Sequence, residues 1–196
     1  MALQALGFSD SQQLLGDRYI ECSQRIDKNT FSFQAYKFIH KVKPLAGYPT
    51  KAGGFAKDVF SIGGDQGTHM DSPLHFIKGG RSVDKFTLKE LIAHGAVVDV
   101  TAKVEMNSDY MLTIDDVKAW ENKYGRIRDN SLVVMKTGWN KHFGKGYAKY
   151  TGTDAKGGFH FPGFSPKLAD WLIKERKVVG VGLDTPSLDN GPSKDY

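Results

Sequence analysis

The most chemically capable spacing in the chain is Gly63-Gly64-Asp65-Gln66-Gly67-Thr68-His69-Met70-Asp71-Ser72-Pro73-Leu74-His75-Phe76. Gly63, Gly64, Gly67 and Pro73 disfavour a helix there, so the segment is predicted to be extended. In an extended chain alternate side chains share a face. Asp65, Gly67, His69 and Asp71 then point one way, and the glycine leaves room between two carboxylates and an imidazole. Pro73 holds Ser72 extended and turns the chain, which brings His75 back toward the same spot. Carboxylate and imidazole donors suit Zn²⁺ or Mn²⁺ better than calcium or magnesium, which favour all-oxygen shells. A cation held this way with an open position acidifies bound water and polarises a carbonyl. His75, set apart, is placed to move the proton as a general acid or base. The bland alternative is a turn carrying surface histidines.

Three helices are predicted to frame this stretch. Thr87 caps one from Leu88 to His94, ended by Gly95, with His94 as its C-terminal cation. Thr113 caps a second from Ile114 to about Lys123, with Val117 and Trp120 on one face. Ser165 caps a third, with Pro166 in the first helical position and Leu168, Trp171 and Leu172 as its apolar stripe. β-Branched runs at Ala96–Val100, Leu132–Met135 and Val178–Leu183 follow these helices and read as strands buried on both faces. Helix then strand, three times over, argues for an α/β layer. Arg18–Ser23 and Asp58–Ile62 read as further, less regular strands. The loops Tyr48–Phe55 and Trp139–Phe164, rich in glycine, lysine and aromatics, are the kind on which sites are built.

The 196 residues, 40% hydrophobic and 25% charged, suit one soluble globular domain spanning 1–196. No apolar run is long enough to span a membrane, and the N-terminus lacks the pattern of a signal peptide. The net charge of +5 comes mostly from scattered lysines, which argues against a nucleic-acid partner. A single cysteine, Cys22, excludes a disulfide framework and fits a reducing, cytoplasmic location. Cys22 has no base near it in sequence and reads as a small buried hydrophobe rather than a nucleophile.

Gly67-Thr68-His69-Met70-Asp71-Ser72-Pro73-Leu74-His75 closely resembles the signature of the cyclase-like metal-dependent hydrolases, His-x-Gly-Thr-His-x-Asp-x-Pro-x-His. Lys136-Thr137-Gly138-Trp139, Phe159–Ser165 and Gly182–Asp189 are similar to later stretches of the same family, in the same order. The resemblance runs from about residue 18 to the end. It implies a swivelling β/β/α fold with a mixed sheet and flanking helices. It also implies a homodimer or higher homo-oligomer, and hydrolysis of a small amide or lactam by a metal-activated water. Carried over by position, His69 and Asp71 are metal ligands, His75 is the catalytic acid or base, and the first ligand position falls on Asp65. The family has histidine there, and the added negative charge of aspartate weakens the Lewis acidity of a bound ion. The chain stops at Tyr196, before the stretch in which family members carry a further histidine and a glutamate, so the expected site holds one Zn²⁺ or Mn²⁺ rather than two. Thr68 is expected to fix a ligand's orientation by hydrogen bonding.

Other residues keep two readings. His160 is a substrate contact or a loop histidine packed between Phe159 and Phe161. Trp139 lines an aromatic-substrate pocket or belongs to the core. Asp184 faces the site or caps the turn after its strand. The functional expectation is a metal-dependent hydrolase of an arylformamide or lactam type C–N bond. Its rival is a catalytically impaired relative that binds a small molecule or a partner protein.

Overall fold

The protein is described by a computed structural model over residues 20–27, 30–33, 41–46 and 57–194. Its centre is a three-stranded parallel sheet of β3 (Gly95–Asp99), β5 (Leu132–Lys136) and β7 (Gly180–Leu183), in the order β3-β5-β7. Gly95 pairs with Leu132, and Leu132 with Gly180, so the three strands start level. A two-stranded parallel ladder joins β4 (Met111–Leu112) to β6 (Gly163–Phe164). Ahead of both lies an antiparallel hairpin of β1 (Lys41–Ala46) and β2 (Lys57–Ser61).

Helices cover one side of the parallel sheet. α1 (Thr101–Met106) follows β3, where no helix is expected from the sequence. α2 (Ile114–Tyr124) starts on Thr113, whose hydroxyl accepts from the Asp116 amide while the Asp116 carboxylate takes back the Thr113 amide. α3 (Tyr147–Tyr150) is a single turn. α4 (Pro166–Trp171) starts with the Ser165 hydroxyl accepting from the Leu168 amide, and it runs on into a π-helical turn, Leu172–Arg176. From that turn Arg176 forks onto Glu121 of α2, with Nε to Oε1 at 2.7 Å and Nη2 to Oε2 at 2.9 Å. The core between these layers is Leu112, Val117, Val133, Met135, Leu168 and Leu172, all at 0% exposure.

The two later predicted helices and all three predicted strands form. Five expectations are corrected. The helix predicted from Leu88 to His94 is only a 3₁₀ turn, Leu88–Leu91. Its capping box between Thr87 and Glu90 is present, but Ile92 is already extended, and so short a segment with no buried residue cannot sustain an α-helix. His94 therefore ends no helix and instead leads into β3. The strands are not buried on both faces: Ala96 and Val98 are buried while Val97 between them is 50% exposed. Of Arg18–Ser23, residues 20–23 are described and form no strand, and Cys22 is exposed rather than buried. The predicted loop from Tyr48 to Phe55 lies outside the described residues.

Candidate metal and active site

Residues 63–67 form a tight turn. The amide of Gly63 donates to Oε1 of Gln66 at 2.7 Å, and the Gln66 amide returns to the Gly63 carbonyl at 3.2 Å. Gln66 is buried, so its side chain acts as an internal staple. Gly67 then takes φ +72°, a left-handed conformation that glycine adopts without steric cost. A Cβ there would also meet Ile26 Cγ1 at 3.0 Å. This turn corrects the expected extended run from Asp65 to Asp71. Alternation is broken at Gln66 and Gly67, and Asp65 sits in the turn rather than in register with His69 and Asp71.

Beyond the turn the segment is tied to the chain's early residues. Thr68 Oγ1 accepts from the amide of Gln24 at 2.8 Å. The stretch holding Gln24 and Ile26 continues to Phe31, whose ring lies 4.9 Å from Tyr150 and 5.7 Å from Tyr147. One strip of chain thus fastens the site segment to the aromatic edge of the α/β layer.

His69 and Asp71 are brought together. His69 Nδ1 lies 2.9 Å from the Gly67 carbonyl, which can only accept, so Nδ1 carries the proton. Nε2 then faces Oδ1 of Asp71 at 3.7 Å. A histidine whose far nitrogen donates to a backbone carbonyl is oriented as metal-binding imidazoles are. Nε2 and a carboxylate oxygen both carry lone pairs, and their facing each other calls for a proton or a cation between them. The separation is close to that of two donors on one zinc ion with bonds of about 2.0–2.2 Å. In chemistry and spacing, then, His69 and Asp71 fit an ion of this kind. Asp65 and His75 do not join them. Among the described residues no three His, Cys, Asp or Glu side chains gather as an ion's ligands.

His75 ends a 3₁₀ turn, Pro73–His75, that starts from extended Ser72, as the Ser-Pro pair predicted. Its ring is exposed and meets Phe76 edge-on at 4.5 Å. The turn is closed from beyond by Leu74 N to Arg81 O at 3.3 Å and by Ile77 N to Pro73 O at 2.9 Å. Arg81 in turn bonds Glu90 at 2.7 Å, and with the Thr87 amide and hydroxyl as the larger influence this holds the Glu90 carboxyl down at about 2.

A family model described as "Putative cyclase" matches residues 20–190. The chain belongs to the cyclase family. It is 34% identical over 157 residues to an isatin hydrolase of Roseibium aggregatum, an alignment covering 78% of this chain and 57% of that protein, so the chain spans little more than half of that relative's length. Among solved structures, isatin hydrolase A from Ralstonia solanacearum is similar with a TM-score of 0.78 at 30% identity, covering 89% of this chain and 69% of the other. An isatin hydrolase bound to the product analogue thioisatinate is similar with a TM-score of 0.77 at 29% identity, covering 88% and 69%. These likenesses establish the α/β fold of the cyclase-like hydrolases, as the sequence motifs implied.

Two of the remaining cyclase-like motifs meet at the carboxyl end of the parallel sheet, after β5 and β7. Asp184, just after β7, accepts from the Thr137 amide at 3.0 Å, the Thr137 hydroxyl at 2.6 Å and the Asn140 amide at 3.1 Å. It therefore clamps the turn after β5 rather than its own. Trp139 lies in the core with its indole N–H on the Tyr150 carbonyl at 2.7 Å. His160 is bound on both nitrogens, Nδ1 to Asp109 at 2.8 Å and Nε2 to Asp154 at 3.4 Å, and the two carboxylates raise its pKa above the usual imidazole range. Sequence spacing could not show this clasp, because Asp109 is 51 residues away. At the end of β3, Asp99 pairs with Lys136 at 2.7 Å and accepts from the Thr101 amide, which holds its carboxyl at about 2.

Proposed function

We propose that this chain hydrolyses a C–N bond in a small cyclic or aryl amide of the isatin or formamide kind, at the segment from Thr68 to His75. The observation that carries the reading is the pairing of His69 Nε2 with Asp71 Oδ1 at 3.7 Å, with Nδ1 committed to Gly67. It stands in a chain whose 34% identical relative is an isatin hydrolase. His69 and Asp71 would hold Zn²⁺ or Mn²⁺, with Asp65 as a third donor once its turn moves. Such an ion, when bound, supplies an acidified water and a polarised carbonyl. His75, exposed next in the segment, takes a proton from the attacking water and returns it to the leaving nitrogen. Thr68 anchors the segment through Gln24 and keeps His69 at its station. We take the protein to act in the cytoplasm as a homo-oligomer.

One observation favours a second reading. Among the described residues no third donor gathers with His69 and Asp71, which would suit a family member that binds a small molecule or partner without turnover. Metal content and hydrolysis of isatin and N-formyl aromatic amines separate the two. Near-stoichiometric zinc or manganese with turnover supports the enzyme, and metal with no turnover on either substrate class supports the binding role. Asp71→Asn should cost at least about 100-fold in metal affinity with the fold intact. His75→Ala should keep the metal and lose about 100-fold or more in kcat. Loss of the ion from His75→Ala would overturn this division of labour.

A further inference from the structure

We propose that a cleft at the amino-terminal end of the parallel sheet, remote in sequence from the His69 segment, binds a single-ring aromatic carboxylate. The cleft lies where β3 and β5 begin and where α2 ends. It has a volume of about 240 Å³ and is lined by His94, Trp120, Tyr124, Arg126, Ile127 and Arg128 among others. That volume is below the roughly 300–1,000 Å³ of sites for drug-sized ligands, so the fitting occupant is one substituted ring.

One of the cleft's two guanidiniums is compensated and the other is not. Glu121 is taken by Arg176 and by the Ile127 amide, and Asp129 by Arg126 and Lys177. Arg126 is further spent on the carbonyls of Ile127 and Glu175. Arg128 differs. Among the described residues its hydrogen-bond partner is Nε2 of His94 at 3.5 Å, and a guanidinium only donates, so that nitrogen must be the acceptor. A guanidinium that lines a cleft and has no carboxylate partner among the described residues is a ready fork for a carboxylate.

The other wall is aromatic. Trp120 is held rigid, because its indole N–H donates to the Val97 carbonyl at 2.8 Å. Tyr124 lies 5.1 Å from it at 43°. Gly95 and Gly125 border the cleft, and a Cβ at either would meet nothing within 4 Å, so the entrance is open. An anchored aromatic face beside a cation with no carboxylate partner among the described residues selects a flat ring carrying a negative group.

The test is titration of the full-length, isotopically labelled protein with benzoate, read by NMR at the Trp120 indole N–H and the Arg126–Arg128 amides. Cyclohexanecarboxylate, benzyl alcohol and inorganic phosphate serve as comparators. Saturable benzoate shifts at Trp120 are expected, with every comparator at least tenfold weaker. Arg128→Gln should weaken benzoate about ten- to a hundredfold, the scale of a lost hydrogen bond to a charged group, and leave amides of β5 and β7 unmoved. Absence of a Trp120 shift, equal binding of cyclohexanecarboxylate or phosphate, or an unchanged affinity in Arg128→Gln would each overturn the proposal. None of these readouts involves metal or turnover, so failure here and failure of the hydrolase reading are distinguishable.

Discussion

The α/β layer from β3 to β7 and the segment from Gly63 to Leu91 are built on opposite principles. In the layer, a buried cluster runs from Ala96 to Leu172, and the starts of α2 and α4 are capped by the Thr113 and Ser165 hydroxyls. In the segment, Gly63 and Gln66 are the buried residues, and order comes from individual tethers: Gln66 to Gly63, Thr68 to Gln24, Arg81 to Glu90. The residues proposed to hold an ion and move the proton, His69, Asp71 and His75, stand in the second region. Stability and reactivity are thus housed separately, and a change in one should leave the other largely alone.

That separation is open to direct attack. Leu168→Ala removes a fully buried side chain from between α4 and the sheet and should cost about 2–5 kcal/mol in urea unfolding, while metal bound per folded molecule stays the same. A fall in metal occupancy of the folded fraction would show that the two regions are coupled. A smaller effect should arise at His160. Its pKa is raised by Asp109 first and Asp154 second, so its clasp is complete below the range of a free imidazole and is lost as pH rises through the raised value. An NMR titration of the His160 ring should give a midpoint above that of a free histidine, and Asp109→Asn should bring it down. The smallest effect belongs to Asp99. Its carboxyl is held at about 2 by Lys136 and Thr101, so its contribution is present above the ordinary value of 3.8 and fades as pH falls from there toward about 2. Because the pair is half exposed, Asp99→Asn should cost less than about 1 kcal/mol at neutral pH and nothing once the pH is well below 2.

Much of the layer was legible because its signals are local. Thr113 followed by Asp116, and Ser165 followed by Pro166, mark helix starts by chemistry within one turn. The β-branched runs fixed the three parallel strands, though not which face each would expose, since that depends on what covers the sheet. The site was legible as motif and only partly as geometry. His69, Asp71 and the Ser72-Pro73 turn were read from type and spacing. The placing of Asp65 was not, because it follows from a buried Gln66 and a left-handed Gly67 lying against Ile26, a partner 41 residues earlier in sequence. The Leu88 helix failed for the converse reason: its cap was real, but no buried face sustained it.

The wide turn at Leu172–Arg176 bears on how this lineage can tolerate changes in length. It holds one residue more than an ordinary helical turn would. Deleting a single position there would rotate the rest of the turn about its axis and carry the guanidinium of Arg176 off Glu121, even with each remaining amino acid unchanged. Point substitutions in the turn that spare Arg176 and Glu121 should therefore be milder than a one-codon loss.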